Sequence, residues 1–219
     1  MDIFDLIGPV MVGPSSSHTA GAARIGLVAR KLLDETPVNV DVYLHGSFAA
    51  TGRGHGTDRA LIAGILGLRP DDGRIPESFE LARERGLFFT FGEKQLRGAH
   101  PNSVLLELTG ESGKKLSVIG ASIGGGRIQV RRLGSMPLCF SAEQPTLIVR
   151  NEDQPGSVAD VSRVLAELGI NIATFQVNRS SRGGEAIMVI ECDAPIGRET
   201  VARIRRIPGI LDAVCIDPD

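Results

Sequence analysis

The sequence has few of the residues from which disulfide scaffolds and metal centres are built. Its 219 residues include three cysteines, Cys139, Cys192 and Cys215, and no two of them form a C-x-x-C pair. This scatter indicates neither a disulfide framework nor a zinc or iron–sulfur site in this chain. We therefore expect the cysteines to be small buried apolar residues, and we predict no metal site here.

Excess charge of one sign and long apolar runs are also absent. A net charge of -2 gives no electrostatic reason to expect nucleic acid or an anionic membrane as a partner. No apolar run reaches the length of about eighteen residues that a membrane span needs. The N-terminal MDIFDLIG begins with acidic residues where a signal peptide carries basic ones. These features predict a cytoplasmic protein.

What the sequence does contain is enough apolar residues for a core, and a break near two thirds of its length. Apolar residues make up 42% of the chain, and a chain of this size forms one large domain or two small ones. The segment 135–145, SMPLCFSAEQP, has two prolines and no sustained hydrophobic period. It predicts a linker between a first domain at 1–134 and a second at 146–219.

The second domain has a regular succession of strand and helix patterns. An apolar strand pattern in TLIVRNE is followed by the turn DQPG and then by a helical stripe that Gly169 ends. Two strand patterns, a second helical run and a last strand pattern follow. The predicted order is βαββαβ, the ferredoxin-like arrangement, with two helices on one face of a four-stranded antiparallel sheet.

This second domain resembles an ACT domain, a small amino-acid-sensing module. The resemblance depends on the D-x-P-G turn at 153–156, the helix ending in LG and the strand beginning I-N-I. It implies self-association of subunits through this domain and an amino-acid effector near the first strand-to-helix turn, with Asp153, Gly156 and Asn171 as candidate residues. The alternative is that Asp153 or Ser157 only caps the helix.

The first domain is predicted to be α+β. HTAGAARIGLVARKLLDE has a helical stripe, and VNVDVYLHGSF alternates as a strand does. A short helix is predicted in GTDRALIAGILG, with Thr57 or Asp58 as its cap, and another in PESFELARERG before the strand LFFTFGE. Three further strand patterns, SVLLELTGE, KLSVIGASIG and RIQVRRL, predict a meander at the end of the domain.

All four histidines lie in the first domain, and His18 and His55 stand out. His18 follows three serines at the start of a predicted helix, where unpaired backbone N–H groups and the helix dipole favour an anion. The hydroxyl groups around it could supply further hydrogen-bond donors. The alternative is one capping serine whose neighbours have no role. His45 is expected to satisfy the end of a strand.

His55 lies between glycines in TGRGHGTD. The spacing is not that of a dinucleotide loop, and the stretch has no Walker A lysine. A flexible loop that presents one imidazole suits proton transfer, because an imidazole near its reference pKa serves as acid or base at neutral pH.

Four stretches, in order and followed by the ACT-like segment, resemble the beta chain of the iron–sulfur-dependent bacterial L-serine dehydratases. They are GPVMVGPSSSHTAGAARIG, LHGSFAATGRGHGTDRALIAGILG, HPNSVLLEL and SIGGGRIQV. The resemblance implies a lyase that eliminates water from L-serine and yields pyruvate and ammonia. It also implies a [4Fe-4S] cluster, which the three dispersed cysteines assign to a separate alpha subunit. The first domain further resembles the allosteric substrate-binding domain of some phosphoglycerate dehydrogenases.

The resemblance also implies roles for individual residues. His55 is the candidate acid, base or orienting group, and His18 is the candidate for positioning the substrate and binding its carboxylate. The further candidates for substrate binding are Ser16, Ser17, Thr19, Thr57 and Asp58.

The sequence leaves one alternative function open and disfavours another. The chain could be a non-catalytic, amino-acid-binding regulatory subunit of a partner enzyme. A self-sufficient serine hydrolase is disfavoured, because the sequence has no G-x-S-x-G elbow, no identifiable triad acid and no oxyanion motif.

Overall fold

The computed structural model describes residues 11–218, and of Arg53 only the backbone. The chain divides into two compact units between Gly134 and Ser135. The N-terminal MDIFDLIG, and with it the start of the stretch GPVMVGPSSSHT, lies outside the described residues. Within them, no helix has the length and apolar character needed to cross a membrane.

The first unit contributes five strands to one sheet, in the spatial order β2-β1-β3-β4-β5. β1 pairs with β2 in parallel and with β3 antiparallel, and β3, β4 and β5 form the predicted antiparallel meander. The strands are β1 (Pro37–Leu44), β2 (Phe88–Glu93), β3 (Ser103–Gly110), β4 (Lys115–Gly124) and β5 (Arg127–Leu133). The prediction of an α+β domain is confirmed.

The helices of the first unit begin with a π-helical turn that runs directly into α1. They are this turn (Ser16–Ala20), α1 (Gly21–Leu33), α2 (Ser47–Thr51), a 3-10 turn (Gly52–His55), α3 (Thr57–Ile65), a second 3-10 turn (Ile75–Glu77) and α4 (Ser78–Glu84). Helix α2 was not predicted, because HGSF was assigned to the preceding strand. Gly46, with φ of 57°, ends the extended backbone and lets the chain turn into α2.

Helices α1 and α3 pack with their backbones in close approach, because each presents a glycine to the other. A Cβ atom on Gly26 would lie 2.3 Å from the carbonyl oxygen of Leu61, and one on Gly64 would lie 2.0 Å from that of Ala23. No larger residue fits at either position without separating the helices. This contact places the first turn of α1, at Ala23, against the last turn of α3, at Gly64.

The second unit contains a four-stranded antiparallel sheet in the order β10-β7-β9-β8. Its elements are β6 (Met136–Phe140), β7 (Thr146–Glu152), α5 (Ser157–Glu167), β8 (Ile172–Arg179), β9 (Glu185–Cys192), α6 (Arg198–Arg205) and β10 (Ile210–Ile216). Both helices bury apolar side chains against the same sheet face, where Leu147 and Met188 contribute to a common core. The predicted ferredoxin-like βαββαβ fold is confirmed.

Part of the segment predicted as a linker is a strand. In β6, the side chains of Met136, Leu138 and Phe140 are buried, while Pro137 between them is exposed. The alternation is that of a half-buried strand. The two prolines of the segment obscured this short period in the sequence.

The predicted side-chain caps of two helices are not present. Helix α3 begins after Gly56, with φ of 68°, and α5 begins after Gly156, with φ of 101°. A capping side chain usually requires extended backbone at that position, and these glycines adopt positive φ instead. Thr57 and Ser157 are buried as the first helical residues, and Asp58 accepts a hydrogen bond from the N–H of Arg59.

Candidate active site

His18 and His55, 37 residues apart in the sequence, lie side by side. Their ring centroids are 5.0 Å apart, with 42° between the ring planes. The His18 ring also packs in a T-shaped arrangement with the ring of Phe48, a fully buried residue of α2. The two ring centroids are 5.4 Å apart. The π-helical turn that holds His18 and the 3-10 turn that holds His55 therefore bring together the imidazole pair that the sequence singled out.

The serine run has one capping residue and two residues that are not caps. Ser15 is extended, and its Oγ accepts a hydrogen bond from the N–H of His18 at 3.1 Å. Ser16 and Ser17 lie in the first turn that follows, and both are half-buried. The first N–H groups of a helix have no partner within it. Ser16 and Ser17 thus place hydroxyl groups where an anion would be stabilised.

Two hydroxyl groups on α2 hold the His18 ring. His18 Nε2 lies 3.1 Å from Ser47 Oγ and 3.1 Å from Thr51 Oγ1. Thr51 Oγ1 donates its single proton to the carbonyl oxygen of Ser47 at 2.9 Å. In the contact between Thr51 and His18, the imidazole must therefore be the donor. Nε2 then carries the proton of the neutral ring, and the lone pair is on Nδ1.

The tautomer of His55 is fixed in the opposite sense. Its Nδ1 lies 3.1 Å from the carbonyl oxygen of Thr51, which can only accept. Nδ1 therefore carries the proton, and Nε2 of the neutral ring has a lone pair that can take a proton. The backbone of His55 is held as well, since Thr19 Oγ1 donates to its carbonyl oxygen at 3.0 Å. Thr19, predicted to bind substrate, uses its hydroxyl proton in this contact.

The pKa of His18 is lowered from its ordinary value of 6.5. Burial of the ring is the largest cause, and repulsion from His55 acts in the same direction, while a backbone hydrogen bond at Ser47 opposes both. The fold therefore favours a neutral His18 at neutral pH. The contribution of this group to stability is present above the unfolded-state pKa near 6.5 and is lost as the pH falls through that value towards the folded pKa.

We expect an NMR titration of the histidine Cε1 protons to show His18 titrating below pH 6.5. In His55→Gln, the pKa of His18 should rise towards its ordinary value, because the repulsion between the two rings is removed. His100→Gln is the matched control and should leave the His18 titration unchanged. Titration of His18 at or above pH 6.5 in the unmodified chain would contradict this electrostatic description.

A cavity of about 180 Å³ opens beside His55. Its lining residues are Val12, Gly13, Pro14, Thr19, Gly54, His55, Gly56, Arg59, Ile75 and Pro76. Gly13 adopts φ of 131° and lies against Thr19, where a Cβ atom would be 2.4 Å from Thr19 Cγ2. The cavity gives a small ligand a place next to one imidazole of the pair. Arg59 was not singled out in the sequence.

The remaining predicted residues of the first unit are not grouped around the imidazoles in the same way. Thr57 is fully buried, and its Oγ1 has no partner among the described residues. The other two histidines have structural contacts: His45 Nδ1 accepts from the N–H of Leu96 at 3.2 Å, and His100 Nδ1 accepts from the N–H of Asn102 at 3.1 Å. The expectation for His45 as a group at a strand end agrees with this contact.

The predicted effector residues of the second unit already have partners. Asp153 accepts from the N–H of Gly183 at 3.0 Å and pairs with Arg179 at 3.2 Å. The backbone hydrogen bond is the largest of the causes that lower the pKa of Asp153. Asn171 donates to Asp193 at 2.7 Å. Asp153 joins the turn after β7 to the β8–β9 hairpin, and it does not cap α5.

The residues present do not fit an iron–sulfur cluster. The described part of the chain has no group of three or more His, Cys, Asp and Glu side chains that could hold a metal ion. Burial raises the pKa of the Cys192 thiol, and burial together with Asp217 raises that of Cys215 to about 12. Cluster ligands are thiolates, which these environments disfavour. No chemical step is assigned to a cluster on this chain.

Models of known protein families match part of each unit. Residues 2–84 match the family model of the serine dehydratase beta chain, and residues 145–209 match that of the ACT domain. A D-3-phosphoglycerate dehydrogenase of Methanocaldococcus jannaschii is 33% identical over 113 residues, which span 51% of this chain and 21% of that protein. A similarity of this chain to part of such a dehydrogenase is thereby supported.

Two relatives align with most of the chain. A probable L-serine dehydratase beta chain of Bacillus subtilis is 40% identical over 214 residues, 98% of this chain and 97% of the relative. The L-serine dehydratase beta chain of Peptoniphilus asaccharolyticus is 41% identical over 194 residues, 88% of this chain and 87% of the relative. The chain therefore belongs to the family of L-serine dehydratase beta chains, with an ACT domain as its C-terminal part.

Proposed function

We propose that this chain is a catalytic subunit of an L-serine dehydratase, active when assembled with an alpha subunit. The observation that carries the proposal is the pair of imidazoles 5.0 Å apart beside a small cavity. The family of the chain supplies the reaction, elimination of water from L-serine to give aminoacrylate, which hydrolyses to pyruvate and ammonia. We place the [4Fe-4S] cluster on the alpha subunit and the assembled enzyme in the cytoplasm.

The chemistry that this chain must supply is proton transfer. The α-proton of serine is weakly acidic, so its removal needs a positioned base. His55 suits that role, because its Nδ1–H is held by the carbonyl oxygen of Thr51 and its Nε2 is left with the lone pair. The cluster of the partner would supply a Lewis acid for the leaving hydroxyl.

His18 has a different part in the proposal. Its ring is held by hydroxyl groups on one side and by Phe48 on another, and it is neutral at neutral pH. A neutral, fixed imidazole can donate or accept a hydrogen bond without repelling a protonated His55. We assign it to positioning the substrate, together with Ser16 and Ser17 at the start of the helix.

Reconstitution tests the proposed function directly. The purified chain and its alpha subunit are assayed separately and together, without oxygen, for release of pyruvate from L-serine. We expect turnover from the mixture alone. Spectra of this chain alone should lack the broad visible absorbance of an iron–sulfur cluster. Pyruvate release by the alpha subunit at the same rate without this chain would contradict a catalytic contribution from it.

The match to the ACT domain favours a second candidate, a purely regulatory subunit. Under that hypothesis, His18→Ala and His55→Ala would change the response to an amino-acid effector and leave turnover at saturating serine intact. The catalytic proposal predicts a loss of turnover at saturating serine in at least His55→Ala. Measuring both quantities on the same reconstituted samples separates the two functions.

We also propose that the second unit mediates self-association. Of the five large apolar side chains that the described residues expose, four lie on this unit, at Val158, Leu168, Val177 and Leu211. Leu211 is 46% exposed on β10, an edge strand of the sheet, where unpaired backbone groups favour pairing with another strand.

Leu211→Lys is expected to lower the mass of the full chain measured by light scattering, because a charge on the edge strand opposes pairing. Val158→Lys, a similarly exposed site on α5, is the matched control and should leave the mass unchanged. Dissociation by Val158→Lys alone would assign the contact to the helix. An unchanged mass in both variants would contradict association through this unit.

A further inference from the structure

The ionisable side chains that line the cavity beside His55, among the described residues, are all basic. Of the ten described residues that line it, only His55 and Arg59 have ionisable side chains, and none of the ten is acidic. Most of the remaining lining residues are glycine, proline or aliphatic. Among these ten residues, an anionic group that enters the cavity meets a guanidinium and no opposing carboxylate.

Arg59 is held in place by contacts that leave much of its hydrogen-bonding capacity unused. Its guanidinium carbon lies 4.9 Å from the ring centroid of Phe79, and Nη1 donates to the carbonyl oxygen of Pro76. The ion pair with Glu80 is 3.8 Å long and also uses Nη1. Among the described residues, both polar contacts of the guanidinium thus go through Nη1. The fork of Nε and Nη2 has the geometry that suits a carboxylate.

We propose that Arg59 binds the carboxylate of the amino-acid substrate in this cavity. The inference rests on the proposed function and adds to it the residue that selects a free amino acid over a neutral analogue. In an α-amino acid, the carboxylate carbon is bonded to the carbon that loses its proton. A carboxylate held at Arg59 therefore places that proton within the cavity that His55 also lines.

The strength of the interaction favours Arg59 over the hydroxyl groups as the main anchor. A charged donor pair in bidentate geometry is about twice as strong as neutral hydrogen bonds. Glu80 is a weak competitor, since it is more than half exposed and meets Nη1 at 3.8 Å. Arg59 then supplies the positive charge that pairs with the carboxylate, and Ser16 and Ser17 supply neutral hydrogen bonds.

Calorimetric titration of the assembled complex with L-alanine and with L-alaninamide tests the proposal. L-Alanine has the carboxylate but no hydroxyl group to eliminate, and the amide has no charge at that end. Arg59→Gln should weaken L-alanine binding by about 10- to 100-fold and leave alaninamide binding within about twofold of the wild type. Arg59→Lys should partly restore L-alanine binding. Arg163→Gln, which removes an exposed arginine on α5, is the matched control.

The KM for L-serine should follow the same order, with a smaller change in kcat, because the carboxylate is bound throughout the reaction. Should Arg59→Gln fail to fold, Arg59→Met, which keeps an unbranched stem over Phe79, carries the same comparison. L-Alanine binding as tight in these variants as in the wild type, or an equal loss of both ligands, would overturn the assignment. Absence of pyruvate release by the wild-type complex, with alanine binding that still depends on Arg59, would instead count against the proposed function alone.

Discussion

Replacing His55 by alanine is expected to reduce turnover of the assembled enzyme at saturating serine by a factor of about 10² to 10⁴, the usual effect of removing a general base. The reason lies in the hydrogen bond that orients the His55 ring. His55 is fixed through Nδ1 to the carbonyl oxygen of Thr51, so Nε2 holds the lone pair that can accept the α-proton. Anaerobic assays of pyruvate release with the alpha subunit in excess measure the effect.

The control for this prediction is His100→Ala, since His100 only accepts a hydrogen bond from Asn102 within a turn. Its turnover should stay close to that of the wild type. The cluster absorbance of each mixture verifies that the alpha subunit is intact. Near-native kcat in His55→Ala, with an intact cluster, would remove His55 from the chemistry.

Gly64→Ala is expected to destabilise the first unit by about 3 kcal/mol, near the upper end of ordinary overpacking effects. The added Cβ would lie 2.0 Å from the carbonyl oxygen of Ala23 and 2.7 Å from the N atom of Leu27. Both are backbone atoms of α1, so the helices must separate. The gain in helix propensity, at most about 1 kcal/mol, is smaller. Thermal denaturation should show a Tm lower by about 10 °C.

Gly73→Ala is the matched control, because a Cβ there has no atom within 4 Å and the backbone is not in the left-handed region. Its stability should lie within about 0.5 kcal/mol of the wild type. We further expect Gly64→Ala to impair turnover, since α1 and α3 follow the two histidine segments. Wild-type stability in Gly64→Ala would contradict the close approach of the two helices.

The sequence predicted the fold well where the hydrophobic period was long. The meander of β3 to β5 and the βαββαβ order of the second unit each depend on several alternating or helical stretches, and both are confirmed. Prediction failed where one or two residues decided the local structure. Gly46 ends an expected strand and begins α2. Gly56 occupies the cap position predicted for Thr57 or Asp58, and Gly156 occupies the one that the alternative interpretation gave to Asp153 or Ser157.

The sequence also predicted some residues of the candidate site and missed others. His18 and His55 could be selected because each lies among glycine or small polar residues at a predicted turn, and the structure brings their rings together. Ser47 and Thr51 were missed. They face His18 because α2 is helical, which places hydroxyl groups four residues apart on one side. Arg59 was missed because only the folded chain shows that it shares a cavity with His55.

A structure of the assembled enzyme, with an amino acid bound at the cluster that we propose for the alpha subunit, would show whether the two imidazoles reach the substrate. We expect an imidazole nitrogen of His55 within hydrogen-bonding distance of the ligand, about 2.6–3.2 Å or through one water molecule, with His18 beside it. Both imidazoles far from the bound amino acid, with intervening protein and no path for a proton between them, would exclude a catalytic role for this pair.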